Sequence, residues 1–223
     1  MLRAVQPQVE IAGDARPVTF RRSQPERLSQ RLWDLDWAPH TPWRFGDVEV
    51  ESAPFDDALP FMRAHYAAIF EATSREARFL TDPMTAAKER FCREMDAFLF
   101  KQAGTTVGVL MAHPSDWSTY YMRSAAFLPE FRGQGLLSRC VEATFEPLRA
   151  AGCERVEVEC SAANGVVVHM LSGLGFAVTA MQSSERHGSM IRFTKFLRED
   201  AEATFVRQFC AMSLQRPSRP KQS

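Results

Sequence analysis

The segment that most limits how this chain can fold is Phe127-Leu128-Pro129-Glu130-Phe131-Arg132-Gly133-Gln134-Gly135-Leu136-Leu137-Ser138. Ahead of it, WSTYYMRSAAFL has the aromatic content of a strand. After it, Leu137, Val141, Phe145 and Leu148 recur at helical spacing. A strand must therefore turn into a helix across two glycines. Glycine lets the backbone turn tightly and approach a ligand closely. The helix that follows offers unpaired amides and the positive end of its dipole. Together these make a cradle for phosphate, to which Arg132 adds charge. No Gly-Lys-Ser/Thr follows and a third glycine is missing, so neither a nucleotide P-loop nor a dinucleotide fingerprint is present.

The rest of the chain supplies an α/β setting for this turn. With 223 residues, 45% of them hydrophobic, it is long enough for a core without staples. VEVESA from Val48 and ERVEVEC from Glu154 alternate as strands. AFLFKQ and TVGVLMAH flank Ala103-Gly104-Thr105 as a hairpin. FAVTAMQ and SMIRFTKFL form a closing pair around the polar turn from Ser183 to Gly188. Helix starts are marked by Asp56, Asp57 and Pro60, and again by Thr81-Asp82-Pro83. Residues 1–45 read as an N-terminal arm carrying Trp33, Trp37 and Trp43, with a short strand around Val18 and Phe20. Packing of the arm onto the main domain is the favoured role for the tryptophans, and walling a substrate pocket is compatible with it. Residues 46–198 read as the main domain, 199–214 as an amphipathic helix and 215–223 as a disordered tail.

Formal net charge is zero, which disfavours a broad nucleic-acid surface. No apolar run approaches the roughly 18 residues of a membrane span. The N-terminal stretch has Pro, Asp and Glu where a secretion signal needs an apolar run. A cytoplasmic protein is the expectation, with neither nucleic acid nor membrane as partner. The five cysteines lack metal-ligand spacing, so no metal is expected.

From Phe127 to Phe176 the chain resembles the GNAT superfamily of acyl-CoA-dependent N-acyltransferases. Arg132 and Gly135 match that family's pyrophosphate loop, with Leu137 at its last small position. Asn164 and the Leu174-Gly175-Phe176 ending fall at the family's separation. The resemblance implies a mixed, mostly antiparallel sheet flanked by helices, and acetyl-CoA or another acyl-CoA as co-substrate. It places pantetheine at the amides of Phe127 and Leu128, and pyrophosphate at those of Arg132, Gly133, Gln134, Gly135, Leu136, Leu137 and Ser138, with Asn164 nearby. It also makes 164–173 a helix, although Val166-Val167-Val168 reads locally as a strand.

Direct transfer to an amine needs a proton taken from the amine and one given to the leaving thiolate. The family's usual tyrosine position is Leu171, which cannot donate. Tyr121, Glu159 and His187 are the candidates for the proton steps. Glu157 and Glu159 share a strand face, and Glu159 lies nearer the strand's C-terminal end. The implied activity is transfer of an acyl group, acetyl first, to an amine acceptor on a small molecule or peptide; a homodimer is a candidate assembly, with the terminal helix and the tryptophan-rich arm as candidate interface elements. Two alternatives keep the fold. One acts on an acyl carrier protein thioester, by transfer or decarboxylation, and the other binds coenzyme A without catalysis.

Overall fold

A computed structural model describes residues 26–69, 85–184 and 188–210. The expected strand near Val18, the Thr81-Asp82-Pro83 helix start, His187 and the C-terminal tail lie outside the described residues. No helix among the described residues is long and apolar enough to cross a membrane.

Among the described residues, eight strands form one sheet in the order β1-β2-β3-β4-β5-β6-β8-β7. They are β1 (Trp43–Phe45), β2 (Val48–Ala53), β3 (Asp96–Gln102), β4 (Thr105–Pro114), β5 (Thr119–Phe127), β6 (Arg155–Ser161), β7 (Ala177–Ser184) and β8 (Gly188–Phe196). Every neighbouring pair is antiparallel except β5 and β6. The expected mixed, mostly antiparallel sheet is the one observed. Ala103 and Gly104 close the β3–β4 hairpin with φ of 47° and 79°. Positive φ at both central residues matches the right-handed twist of paired strands.

Alternation along β3 divides the core between the two faces. Phe98 and Phe100 point to a cluster with Trp37, Tyr120, Val141, Leu148, Leu171 and Phe193. Ala97 and Leu99 point the other way, to Phe55, Phe61, Met62, Val109 and Met111. The second face is covered by α2 (Phe55–Ile69), with α3 (Ala86–Arg93) beside it. The helices on the first face are α4 (Leu136–Ala150) and α5 (Gly165–Gly173).

The segment ahead of Val48 is built into this core. Its helix α1 (Leu28–Trp33) is tied down by Ser29, whose hydroxyl donates to the buried Asp96 carboxylate at 2.8 Å. Tyr120 donates to the other carboxylate oxygen at 2.9 Å. Trp37 is fully buried, its ring 5.0 Å from Phe98 and 6.0 Å from Tyr120. At the chain's other end, α6 (Glu199–Phe205) leads into a π-helical turn through Cys210.

Two helix termini show local sequence deciding geometry. At the end of α4, Gly152 takes φ of 86°. Its N–H and that of Cys153 then reach the carbonyls of Arg149 and Leu148, so the helix stops in a Schellman turn. At the start of α5, the Asn164 side chain accepts from the Val167 N–H at 3.2 Å. That cap is worth about 1 kcal/mol. The three valines cost at most about 0.7 kcal/mol each relative to alanine. With Leu171 fully buried below them, the helix wins over the local strand preference.

Candidate active site

The parallel pair β5–β6 forks. It is paired only from Thr119↔Arg155 to Met122↔Val158, although β5 continues to Phe127 and β6 to Ser161. Beyond the fork β5 keeps β4 as neighbour, and β6 keeps β8. The edge of β5 from Arg123 to Phe127 therefore faces a gap with backbone groups unpaired on that side. At the same level the β4–β5 register shifts between Met111 and Ala112, and Arg123 is the extra residue of the resulting bulge. Bulges occur where a side chain must be re-aimed.

The gap leads to the glycine turn. Phe127 is buried, its ring lying over Gly108 and edge-on to Phe100 at 4.6 Å. The turn Pro129–Phe131 follows Leu128, and Arg132 folds back so that Nε donates to the Phe127 carbonyl at 3.1 Å. Gln134 donates to the Glu130 carbonyl at 2.8 Å. Gly133 and Gly135 hold φ of 71° and 70°, the left-handed region that costs other residues about 1–2 kcal/mol. Gly135 is the N-cap of α4, and its carbonyl accepts from Ser138 Oγ at 2.9 Å. From Gly133 to Ser138 the backbone amides have no acceptor among the described residues. Leu136 is buried, and Leu137 packs against the main core cluster. Bulk at the family's small position is thus turned away from the cradle. Consecutive amides without an acceptor among the described residues, at the positive end of a helix, are an arrangement that suits an anion.

Sequence spacing indicated these loop residues, and the structure brings them together. The Arg132 side chain differs in detail, since it braces the loop as well as adding charge. Asn164 sits on the opposite lip of the gap, beyond the end of β6, with its side-chain oxygen engaged in the α5 cap.

The candidates for proton transfer divide. Tyr121 and Glu157 are directly opposed in the last paired stretch of β5 and β6, where the fork opens. The Tyr121 hydroxyl has no hydrogen-bond partner among the described residues. Burial, then the nearby Glu159 charge, pushes its pKa upward, so it stays a phenol at neutral pH. Glu159 lies beyond the fork and is held by Arg192, whose Nε and Nη2 both donate to Glu159 Oε1, at 2.9 and 2.6 Å. Glu157 is left with Arg192 Nη1 at 3.8 Å and no hydrogen bond among the described residues. Alternation put both carboxylates on one face, but only the β6–β8 register, which sets Glu159 opposite Arg192, tells them apart. Leu171, at the usual tyrosine position, is fully buried.

His113, which the sequence places on the strand after the hairpin turn, stands beside these candidates. Its Nδ1 lies 2.9 Å from the Pro114 carbonyl, so that nitrogen carries the proton and donates. Its Nε2 is buried without a partner among the described residues, as is Ser124 Oγ. The ring contacts Tyr121 at 5.7 Å and Phe91 of α3 at 5.2 Å. Burial, with Arg123 adding to it, lowers the His113 pKa and keeps the imidazole neutral. A cleft of about 240 Å³ between α2 and α3, lined in part by Leu59, Arg63 and Cys92, opens on this same side of the sheet.

Residues 59–176 match the model of the acetyltransferase (GNAT) family. The fold is similar to a GNAT family acetyltransferase from Elizabethkingia anophelis solved with acetyl-CoA bound, at 12% identity and a TM-score of 0.50, over 68% of this chain and 99% of that one. It is similar to yncA from Salmonella typhimurium, solved with its cofactor acetyl-CoA, at 15% identity and a TM-score of 0.54, over 69% and 96%. Mutant forms of the spermidine/spermine N-acetyltransferase of Vibrio cholerae give a TM-score of 0.54 at 10% identity, over 72% and 99%. Comparison with curated proteins gave no match.

Proposed function

Because the chain belongs to the GNAT acetyltransferase family, we propose that it moves an acyl group, acetyl first, from coenzyme A to a primary amine by direct attack. The fork of β5 and β6 opening onto the glycine cradle carries this reading. Pantetheine lies along the unpaired edge of β5 near Phe127 and Leu128, in place of a strand. The pyrophosphate takes the amides of Gly133 to Ser138, where backbone donors and the α4 dipole favour an anion without reorganisation. That orientation brings the thioester towards the fork, beside Tyr121 and Glu157.

Glu157 accepts the proton of the incoming ammonium, since its oxygens are not already claimed by hydrogen bonds. The neutral amine attacks the thioester carbon, the carbon–sulfur bond breaks, and the thiolate leaves with the electron pair. Tyr121 gives that thiolate its proton, and the tyrosinate takes up the second proton that the new amide nitrogen sheds. Glu159 fixes Arg192, which keeps a positive charge beside the carboxylates and beside any tyrosinate. The acting unit is the domain 46–198, braced by the segment before it.

Tyr121→Phe tests the assignment by thiol release from acetyl-CoA across a panel of primary amines. The expected result is a fall of about 10²-fold or more in turnover, in the range typical of a proton donor, with coenzyme A affinity unchanged. Unaltered turnover removes Tyr121 from the mechanism. Coenzyme A binding without transfer to any amine overturns the reaction itself.

A further inference from the structure

We propose that the acceptor is a zwitterion of the amino-acid type, its ammonium held at Glu157 and its carboxylate at Arg123, the two groups bracketing Tyr121. This rests on the acyl-transfer reading above and names the substrate class for it. The arginines of this chain divide by their partners. Those on the strands are paired: Arg44 with Glu49, Arg155 with Asp116, and Arg192 with Glu159 and Glu157. Arg123 on β5 is the exception, with no hydrogen bond or ion pair among the described residues.

Its position is also particular. The bulge inserts Arg123 at the level where β6 leaves β5. Its charge acts on Cys92 of α3, on His113 and on Tyr121, so the guanidinium lies over the α2/α3 side of the sheet. Beside it are two of the three buried polar atoms without a partner among the described residues, His113 Nε2 and Ser124 Oγ. Of these, His113 is more than nine-tenths buried and in ring contact with Tyr121.

Glu157 is the complementary misfit. Two carboxylates share the single Arg192, and Glu159 takes both of the hydrogen bonds. Arg123 and Glu157 thus carry opposite charges at one fork, on adjacent strands, and do not pair with each other. A ligand carrying one charge of each sign satisfies both. Guanidinium suits a carboxylate because its planar donors match the two oxygens. The arrangement also presents the amine next to the groups that handle its proton.

The test compares each common L-amino acid with the decarboxylated amine of the same side chain, using acetyl-CoA and thiol release. The expected result is that at least one amino acid is acetylated with kcat/KM at least tenfold above its decarboxylated partner. In Arg123→Gln that ratio collapses towards one, and Arg123→Lys retains part of it. Decarboxylated amines used as well as or better than the amino acids overturn the proposal and leave acyl transfer to amines standing. A tenfold loss of coenzyme A affinity in Arg123→Gln overturns it too, by assigning the guanidinium to the donor. Coenzyme A binding with no transfer to any compound defeats both readings together.

Discussion

Replacing Gly108 by alanine tests how the cradle is held. Gly108 lies in β4 opposite Phe127, the last residue of β5. A methyl group there would lie 2.4 Å from Phe127 Cδ1 and 2.5 Å from Cε1. Carbon atoms in contact need about 3.5 Å or more, so the ring must retreat by about 1 Å. Phe100 stands on its other side at 4.6 Å between ring centres, and the site is buried. Overpacking of this kind costs about 1–3 kcal/mol. For a domain of this size, each kcal/mol lowers Tm by about 2–4 °C, so a fall of about 2–12 °C is expected. The displaced Phe127 also carries the carbonyl that anchors Arg132, so coenzyme A affinity should weaken in parallel. Thermal melts and calorimetric titrations read the two effects. Phe127→Leu in the same chain makes room for the methyl group and should recover part of the lost Tm, giving a coupling between the sites. A Gly108→Ala protein that melts within about 1 °C of the parent would refute the account of this contact.

Two further outcomes follow from buried groups. Leu171→Tyr places a hydroxyl in the fully buried core, so it should cost about 1–3 kcal/mol and give no gain in transfer rate. A parental Tm together with faster transfer would contradict this. His113 has its pKa lowered below 6.5, chiefly by burial, with Arg123 adding to it. The unfolded chain takes up that proton more readily, so this group's contribution to stability is complete above about pH 6.5 and is lost as pH falls below it. His113→Asn should therefore lose less Tm than the parent between about pH 7.5 and 5.5, and an equal loss argues against His113 as the group that titrates.

Much of the fold was legible because its signals are local. The two-residue hairpin at Ala103-Gly104, the alternation of VEVESA and ERVEVEC, and the glycines at 133 and 135 each show themselves within a few residues. The Val166 to Val168 stretch was legible only through the resemblance, because its valines speak locally for a strand while Leu171 and the Asn164 cap decide for a helix. The tryptophan-rich segment before Val48 was expected to pack onto the domain. Its depth, with Trp37 against Phe98, depends on a partner more than fifty residues away, while β1 joins the sheet through the neighbouring β2. The same holds in the candidate site. Spacing placed Glu157 and Glu159 on one face, yet which of them takes the hydrogen bonds depends on Arg192, brought in by β8. The sequence grouped Arg123 with Arg132 and Arg139 as basic residues near the cleft mouth but did not set it apart, because its solitude appears only once every other strand arginine has found its carboxylate.

The most direct test of the central claim is calorimetric titration of coenzyme A and acetyl-CoA into the parent protein and Gly135→Val. Gly135 holds φ of 70°, where a β-branched residue is strained, and it opens the helix whose amides form the cradle. The account predicts binding to the parent with Kd of about 1 μM, near −8 kcal/mol, and at least tenfold weaker binding to the variant, a loss of about 1.4 kcal/mol. Equal affinity in the two proteins, or no binding to the parent, would contradict it.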